Sequence, residues 1–160
     1  MMIARALKQS TSMLLLLWVA SLSCAQVGGA VSREERLAPM EMGGVVIGMQ
    51  RMKVLSFLGK PRSERVFENF IVLEAAYTNL IIGFDESDAV SELEARTSKA
   101  CLLKKICQGA TLLEMQAELE AGGYLFNVIG DVLYVNGDGC WGEVRLSAGR
   151  ARSVRILCSP

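Results

Sequence analysis

Residues 140–158 read Cys-Trp-Gly-Glu-Val-Arg-Leu-Ser-Ala-Gly-Arg-Ala-Arg-Ser-Val-Arg-Ile-Leu-Cys and contain the clearest structural pattern of the chain. Two strand-like runs flank Ala148 and Gly149, and a glycine-containing pair between such runs is typical of a β-hairpin turn. This turn places Cys140 opposite Cys158 at the open end of the hairpin, within the short separation that a disulfide requires. The sequence therefore predicts a bond between Cys140 and Cys158.

The other cysteines follow from this pairing. The chain has five cysteines, and four of them lie outside the N-terminal 25 residues, an even number that suits an oxidising compartment. Four cysteines permit three connectivities, and the hairpin favours the one in which Cys101 and Cys107 close a small loop. A zinc site is the alternative, but the sequence has no histidine and no Cys-x-x-Cys pair.

The first 25 residues have the composition of a secretory signal peptide. Arg5 and Lys8 precede an apolar run over residues 13–20, and small residues follow as far as Ala25. The apolar run is shorter than the roughly 20 residues that a bilayer-crossing helix needs, and we expect no transmembrane span. We predict cleavage near Ala25 and a periplasmic or secreted location. The alternative is a lipoprotein in which Cys24 carries a lipid anchor.

The charge of the cleaved chain argues against one class of partner. Cleavage removes Arg5 and Lys8 and no acidic residue, which leaves 15 basic and 17 acidic residues and a net charge of −2. Proteins that bind nucleic acid need a basic surface to neutralise phosphates. We therefore expect no nucleic-acid partner.

Helical and strand patterns alternate in the predicted mature chain. Residues 26–44 form an N-terminal segment, in which Ser32 and Glu35 could cap a short helix over residues 32–37. Residues 48–58 carry apolar side chains at helical spacing, and Gly59 and Pro61 then end the helix. Strands are predicted at residues 65–77, 79–84 and 89–96.

A similar order follows at an offset of 61 residues. A second helix is marked by Gly109, Leu113, Met115 and Leu119, which correspond to Gly48, Met52, Val54 and Leu58. Further strands are predicted at residues 124–135, as a hairpin around Gly130 and Asp131, and at residues 141–147 and 150–158. The sequence thus predicts an α+β fold of two tandem units, residues 45–100 and 101–160, each with short helices packed on an antiparallel β-meander. The alternative is a chance similarity between two ordinary α+β segments.

The first predicted unit resembles a known family. Gly48-Met49, Val54, Leu58 and the ending Gly59-x-Pro61, followed by residues 79–85, resemble the SmpA/OmlA (BamE-like) family of envelope proteins. The tandem arrangement is similar to that of β-lactamase inhibitor proteins. The resemblance implies helices on an antiparallel sheet whose free surface or loops bind another protein, and it implies no enzyme and no cofactor.

The residues favour no catalytic site. The absence of histidine removes the commonest general base and the usual partner of a nucleophilic serine or cysteine. Carboxylates could supply an acid–base pair or bind calcium, but their spacing does not match a calcium loop, and a solvated turn is the favoured interpretation. These carboxylates are Asp85, Glu86, Asp88, Glu92 and Glu94.

The second predicted unit contains a group of aromatic residues, and its last hairpin contains four arginines. Exposed aromatic side chains beside arginine are common in the energetically dominant parts of protein interfaces. The candidate partner-binding residues are Trp141, Tyr124, Tyr134, Arg145 and Arg152. The arginines, together with Arg150 and Arg155, contrast with the acidic residues 85–94, and they could steer a charged partner or simply form solvated faces and ion pairs.

These patterns predict a non-enzymatic periplasmic or secreted protein-binding module, an inhibitor or an immunity protein against an envelope-acting protein. Its partner would be another envelope or secreted protein, and no metal or cofactor is expected. The alternative function is a structural envelope or outer-membrane assembly factor, which would be a lipoprotein if Cys24 is acylated. A hydrolase that uses two carboxylates is a third hypothesis, for which the sequence has no motif.

Overall fold

One antiparallel sheet of eight strands dominates the computed structural model, which describes residues 39–159. The predicted signal peptide, Cys24 and the predicted helix over residues 32–37 lie outside the described residues. In chain order the elements are β1 (Glu41–Met42), β2 (Val45–Val46), α1 (Arg51–Leu58), β3 (Ser63–Val66), β4 (Leu73–Ala76), β5 (Leu80–Phe84), β6 (Val90–Ala95), α2 (Leu112–Ala121), β7 (Phe126–Ile129), β8 (Val132–Asn136), β9 (Cys140–Ser147) and β10 (Arg150–Cys158).

The predicted architecture of two tandem units is wrong. Strands β3 to β10 belong to a single sheet in the order β3-β4-β5-β6-β10-β9-β8-β7, and β1 and β2 form a separate pair. Strands β6 and β10 pair directly, with Leu93 opposite Ile156. This pairing removes the two free edges that separate meanders would have at the junction, and one core cluster includes residues of β4, β5, β6, β8, β9 and β10. Most strands nevertheless form close to the predicted positions, but the single strand predicted over residues 65–77 is wrong, because β3 and β4 are two separate strands that pair antiparallel.

The hairpin of β9 and β10 has the predicted register. Ala148 and Gly149 both adopt positive φ angles, 50° and 72°, as a tight two-residue hairpin turn requires. Cys140 lies directly opposite Cys158, and the register shifts once between Ala151 and Ser153.

The structure contains the two disulfides expected from the sequence, Cys101–Cys107 and Cys140–Cys158. The first encloses a small hairpin in which Leu102 and Ile106 exchange backbone hydrogen bonds of 2.9 and 3.0 Å. Both of these side chains are buried. The disulfide therefore holds two core residues in a connection that has little regular structure.

The sheet has one covered face. Alternate strand residues such as Ile82, Leu93 and Val144 are fully buried in the core, where they meet Val54 of α1 and Met115 of α2. Core residues also come from β1, β2 and the Cys101–Cys107 loop. The intervening strand residues point to the opposite face, which is partly exposed.

Helix α2 begins with a capping box. The Thr111 hydroxyl accepts a hydrogen bond from the backbone N–H of Glu114, and the Glu114 carboxylate accepts one from the backbone N–H of Thr111. The helices bury less of their predicted apolar faces than expected, because Met52 is 73% exposed and Leu113 is 79% exposed. Neither helix within residues 39–159 has the length and apolar character that a membrane crossing requires.

The loop lengths predict how much each disulfide stabilises the fold. Replacing Cys140 and Cys158 together by serine should lower the free energy of unfolding by about 3 kcal/mol, because the bond closes a loop with a sequence separation of 18. The same replacement of Cys101 and Cys107, with a separation of 6, should cost about 2 kcal/mol. Urea unfolding measures both. A larger loss for the Cys101–Cys107 pair would contradict this order.

Asp85 organises the turn between β5 and β6. Its carboxylate accepts hydrogen bonds from the Ser87 hydroxyl at 2.7 Å and from the backbone N–H groups of Ser87 and Ala89 at 2.9 and 3.1 Å. Burial acts to raise the pKa of Asp85, but these hydrogen bonds together lower it below its usual value. The charged form is therefore the one that the folded protein stabilises.

This lowered pKa gives Asp85 a pH-dependent contribution. Asp85→Ala should lower the free energy of unfolding by about 1 kcal/mol at pH 7, because the turn loses its acceptor. The contribution is present above the unfolded-state pKa of about 3.9 and is lost as the pH falls through the lower folded-state pKa. Urea unfolding of both proteins at pH 7 and pH 2 should show the difference shrinking in acid. Glu86→Ala, an exposed neighbour, is the control, and a difference that persists unchanged at pH 2 would refute this assignment.

Candidate functional site

A broad open groove of about 720 Å³ lies on the partly exposed face of the sheet. Its floor is built by side chains from three neighbouring strands, β7, β8 and β9. Because side chains alternate along a strand, residues two apart on each strand point into the groove together. They are Asn127 and Ile129 of β7, Tyr134 and Asn136 of β8, and Trp141 and Glu143 of β9.

The strand register sets the neighbours within the groove. Tyr134 lies between Asn127 and Glu143, each of which is its direct cross-strand partner. Trp141 lies opposite Asn136 on one side and Leu157 of β10 on the other. The two aromatic side chains therefore lie on adjacent strands, Tyr134 between two polar residues and Trp141 between one polar and one apolar residue.

The Cys140–Cys158 disulfide lies at one end of the groove. Cys140 and Ser159 both line it, and the backbone N–H of Ser159 donates a hydrogen bond of 3.1 Å to the carbonyl of Gly139. The covalent bond thus fixes β9 to β10 immediately beside Trp141. This fixation limits the motion of that residue's backbone and preorganises the end of the groove.

An ion pair forms part of the groove rim. The Nε atom of Arg145 lies 2.8 Å from the Glu143 carboxylate, whose side chain retains only 12% exposure. This hydrogen bond and the charge of Glu143 raise the pKa of Arg145 above its already high value. The carboxylate inside the groove is therefore already paired.

A second ion pair network joins β6 to β10 on the same face. Arg155 contacts Glu92 through its Nη2 atom and Glu94 through its Nε atom, the latter at 3.4 Å. Arg155 is also the direct cross-strand partner of both Glu94 and Glu143. The contrast between basic and acidic segments seen in the sequence is therefore partly neutralised by pairing across the sheet.

The structure brings together some of the predicted partner-binding residues and separates others. Trp141 and Tyr134 line the groove, and Arg145 lies at its rim. Tyr124 instead packs against the core cluster beside Gly122, just after α2. Arg152 is exposed at the register shift of β10 and is not among the residues that line the groove.

Sequence reasoning missed four of the six side chains of the groove floor: Asn127, Ile129, Asn136 and Glu143. For the polar ones, a signal was present in the alternation of the strands, since Asn136 stands two residues after Tyr134, and Glu143 two after Trp141. A search for aromatic and basic residues does not select the polar residues beside them. The strand pattern would have found them.

The acidic residues after β5 form turns and ion pairs that stabilise the fold. Asp85 organises its turn, and Arg51 of α1 lies 3.9 Å from Asp88. Glu92 and Glu94 contact Arg155. The carboxylates considered for an acid–base pair are thus held in turns and ion pairs, with the exposed Glu86 as the exception.

No family model and no curated protein matches the chain. A crystal structure of an extracellular protein containing an SCP domain from Bacillus anthracis is similar, with a TM-score of 0.53 and 10% sequence identity. The similarity covers 71% of this chain and 44% of that chain, so the chain spans less than half of the length of that protein. At this identity the likeness concerns the fold alone.

The fold is therefore that of an antiparallel β-sheet protein with helices on one face. Its two disulfides fit a secreted or periplasmic protein.

The network around Arg155 predicts a specific loss of stability. Arg155→Ala should lower the free energy of unfolding by about 1–2 kcal/mol, because two partly buried carboxylates lose their counter-charge where β6 meets β10. Arg152→Ala is the matched control on the same strand and should change it by less than about 0.5 kcal/mol. Urea unfolding at pH 7 compares them. Equal effects would show that the network adds no stability.

Proposed function

We propose that the protein is a non-enzymatic, periplasmic or secreted binding module whose protein partner docks in the groove over β7, β8 and β9. The observation that supports this most is the pair of aromatic residues, Trp141 and Tyr134, on the uncovered side of the sheet. Tryptophan and tyrosine are enriched among the residues that dominate interface energetics, and here they share the groove with polar side chains and with Ile129.

Rigidity supports the same proposal. The groove floor consists of hydrogen-bonded strands, and the Cys140–Cys158 disulfide lies at its end. Side chains presented on such a surface lose little conformational entropy when a partner binds. The groove is also wide and open, which suits a protein surface better than a small enclosed substrate.

The charged side chains of the groove can orient a protein partner but add little net electrostatic attraction for it. Glu143 is paired with Arg145, and Arg155 with Glu92 and Glu94, so the face carries little uncompensated charge. A partner would therefore gain most of its affinity from the aromatic residues. An inhibitor or an immunity protein against an envelope-acting protein has such a surface, and the resemblance of residues 48–85 to SmpA/OmlA proteins agrees with an envelope role.

Affinity capture tests the proposal. The predicted mature chain, residues 26–160, is immobilised and exposed to a periplasmic extract of the source cell, and captured proteins are identified by mass spectrometry. Binding of the captured protein is then measured with Trp141→Ala, which should weaken it at least about tenfold. Phe57→Ala removes an exposed aromatic side chain of α1 away from the groove and should change binding less than twofold.

The result separates the hypotheses. One partner whose binding depends on Trp141 and not on Phe57 supports the groove as the binding surface. The groove is ruled out as the binding surface if the partner binds Trp141→Ala and Tyr134→Ala as tightly as the unchanged protein. This outcome counts only if both variants retain their disulfides and melting temperature. Capture of outer-membrane assembly components would favour the structural alternative.

A further inference from the structure

A second cavity, of about 250 Å³, lies where α1 ends and β4 turns into β5. It shares no lining residue with the groove. Three cationic side chains line it: Lys60 and Arg62 from the segment after α1, and Lys99 from the segment after β6. The fold thus brings together basic residues that are up to 39 positions apart in the sequence.

These cations have no counter-charge in the part of the chain that the structure describes. None of the residues that line the cavity is acidic. Every ion pair found among residues 39–159 involves another basic residue, namely Arg51, Lys104, Lys105, Arg145 or Arg155. Three like charges around one small space repel each other, and a bound anion would reverse that repulsion.

The side-chain amide of Asn79 adds an uncharged donor to the lining. The Oδ1 atom of Asn79 accepts a hydrogen bond of 3.0 Å from the Thr97 hydroxyl, and the Asn79 side-chain amide makes no hydrogen bond within residues 39–159. The Thr97 oxygen also accepts a hydrogen bond of 3.3 Å from the backbone N–H of Lys99. Thr97 therefore fixes Asn79 and Lys99 relative to each other, with the donor group of Asn79 left unused.

Mostly apolar side chains form the wall behind the cations, together with the buried Tyr77 hydroxyl, which has no hydrogen-bond partner within residues 39–159. Tyr77 is 94% buried, and Leu58 and Leu80 also line the cavity. Lys60, Arg62 and Lys99 are exposed and screened by water, but an anion held against this wall loses part of that water, which strengthens its attraction to the three cations.

We propose that this cavity, defined by Lys60, Arg62, Lys99 and Asn79, binds a small oxyanion with at least two negative charges. The ligand chemistry is a phosphoryl group or a polycarboxylate, since the planar guanidinium of Arg62 can donate two hydrogen bonds to either and lysines add point charges. The volume is smaller than that of pockets for drug-sized ligands and fits a compact anion.

Calorimetric titration of the mature chain, residues 26–160, with inorganic phosphate and separately with citrate tests the proposal. At least one of the two anions should bind saturably. Binding of phosphate indicates a site for a phosphoryl group, and binding of citrate indicates a site for a polycarboxylate. Arg62→Gln and Lys99→Gln should each weaken that binding about tenfold, the loss of one charge-assisted hydrogen bond. Asn79→Asp, which keeps the acceptor for Thr97 but adds a negative charge, should weaken it at least as much.

Lys53→Gln is the matched control, because Lys53 is an exposed lysine of α1 that does not line the cavity. It should change the dissociation constant less than twofold. The proposal is overturned if neither anion binds saturably, or if folded Arg62→Gln and Lys99→Gln proteins bind as the unchanged protein does. Near-ultraviolet circular dichroism of each variant verifies that the fold is retained.

Discussion

The pairing of β6 with β10 is the constraint on which the rest of the structure depends. Only three cross-strand residue pairs make this junction, yet it joins four strands on either side into one sheet. On the covered face Leu93 packs with Ile156 in the core, and on the other face Arg155 contacts Glu92 and Glu94. Hydrophobic burial and charge pairing thus act on opposite sides of the same short junction.

The asymmetry of the sheet determines where binding can occur. Both helices, the β1–β2 pair and the Cys101–Cys107 loop contribute to the core on one face, so the helices do not compete for the other. That other face still needs side chains that tolerate water, and it has them in paired charges, asparagines and aromatic residues with polar groups. A surface that satisfies its own charges can remain exposed and still present Trp141 and Tyr134 to a partner.

Local patterns predicted the elements of this fold better than their assembly. The register of the β9–β10 hairpin followed from a two-residue turn, because pairing across such a turn is set by nearest neighbours. The joining of β6 to β10 could not be predicted in this way, since residues 92 and 155 are 63 positions apart and no turn links their strands. The same limit applies to the candidate sites: Trp141 and Tyr134 were found by residue type, but the cavity of Lys60, Arg62 and Lys99 depends on contacts that only the fold supplies.

The position of β10 has a consequence for how the protein folds. It follows the other strands in the chain, yet it lies in the middle of the sheet, between β6 and β9. A nascent chain that lacks β10 therefore has two unpaired strand edges and a Cys140 without its partner. Pairing over such sequence distances is slow. The eight-stranded sheet can close only after β3 to β9 have been joined by β10, and the same strand supplies Cys158 for the second disulfide.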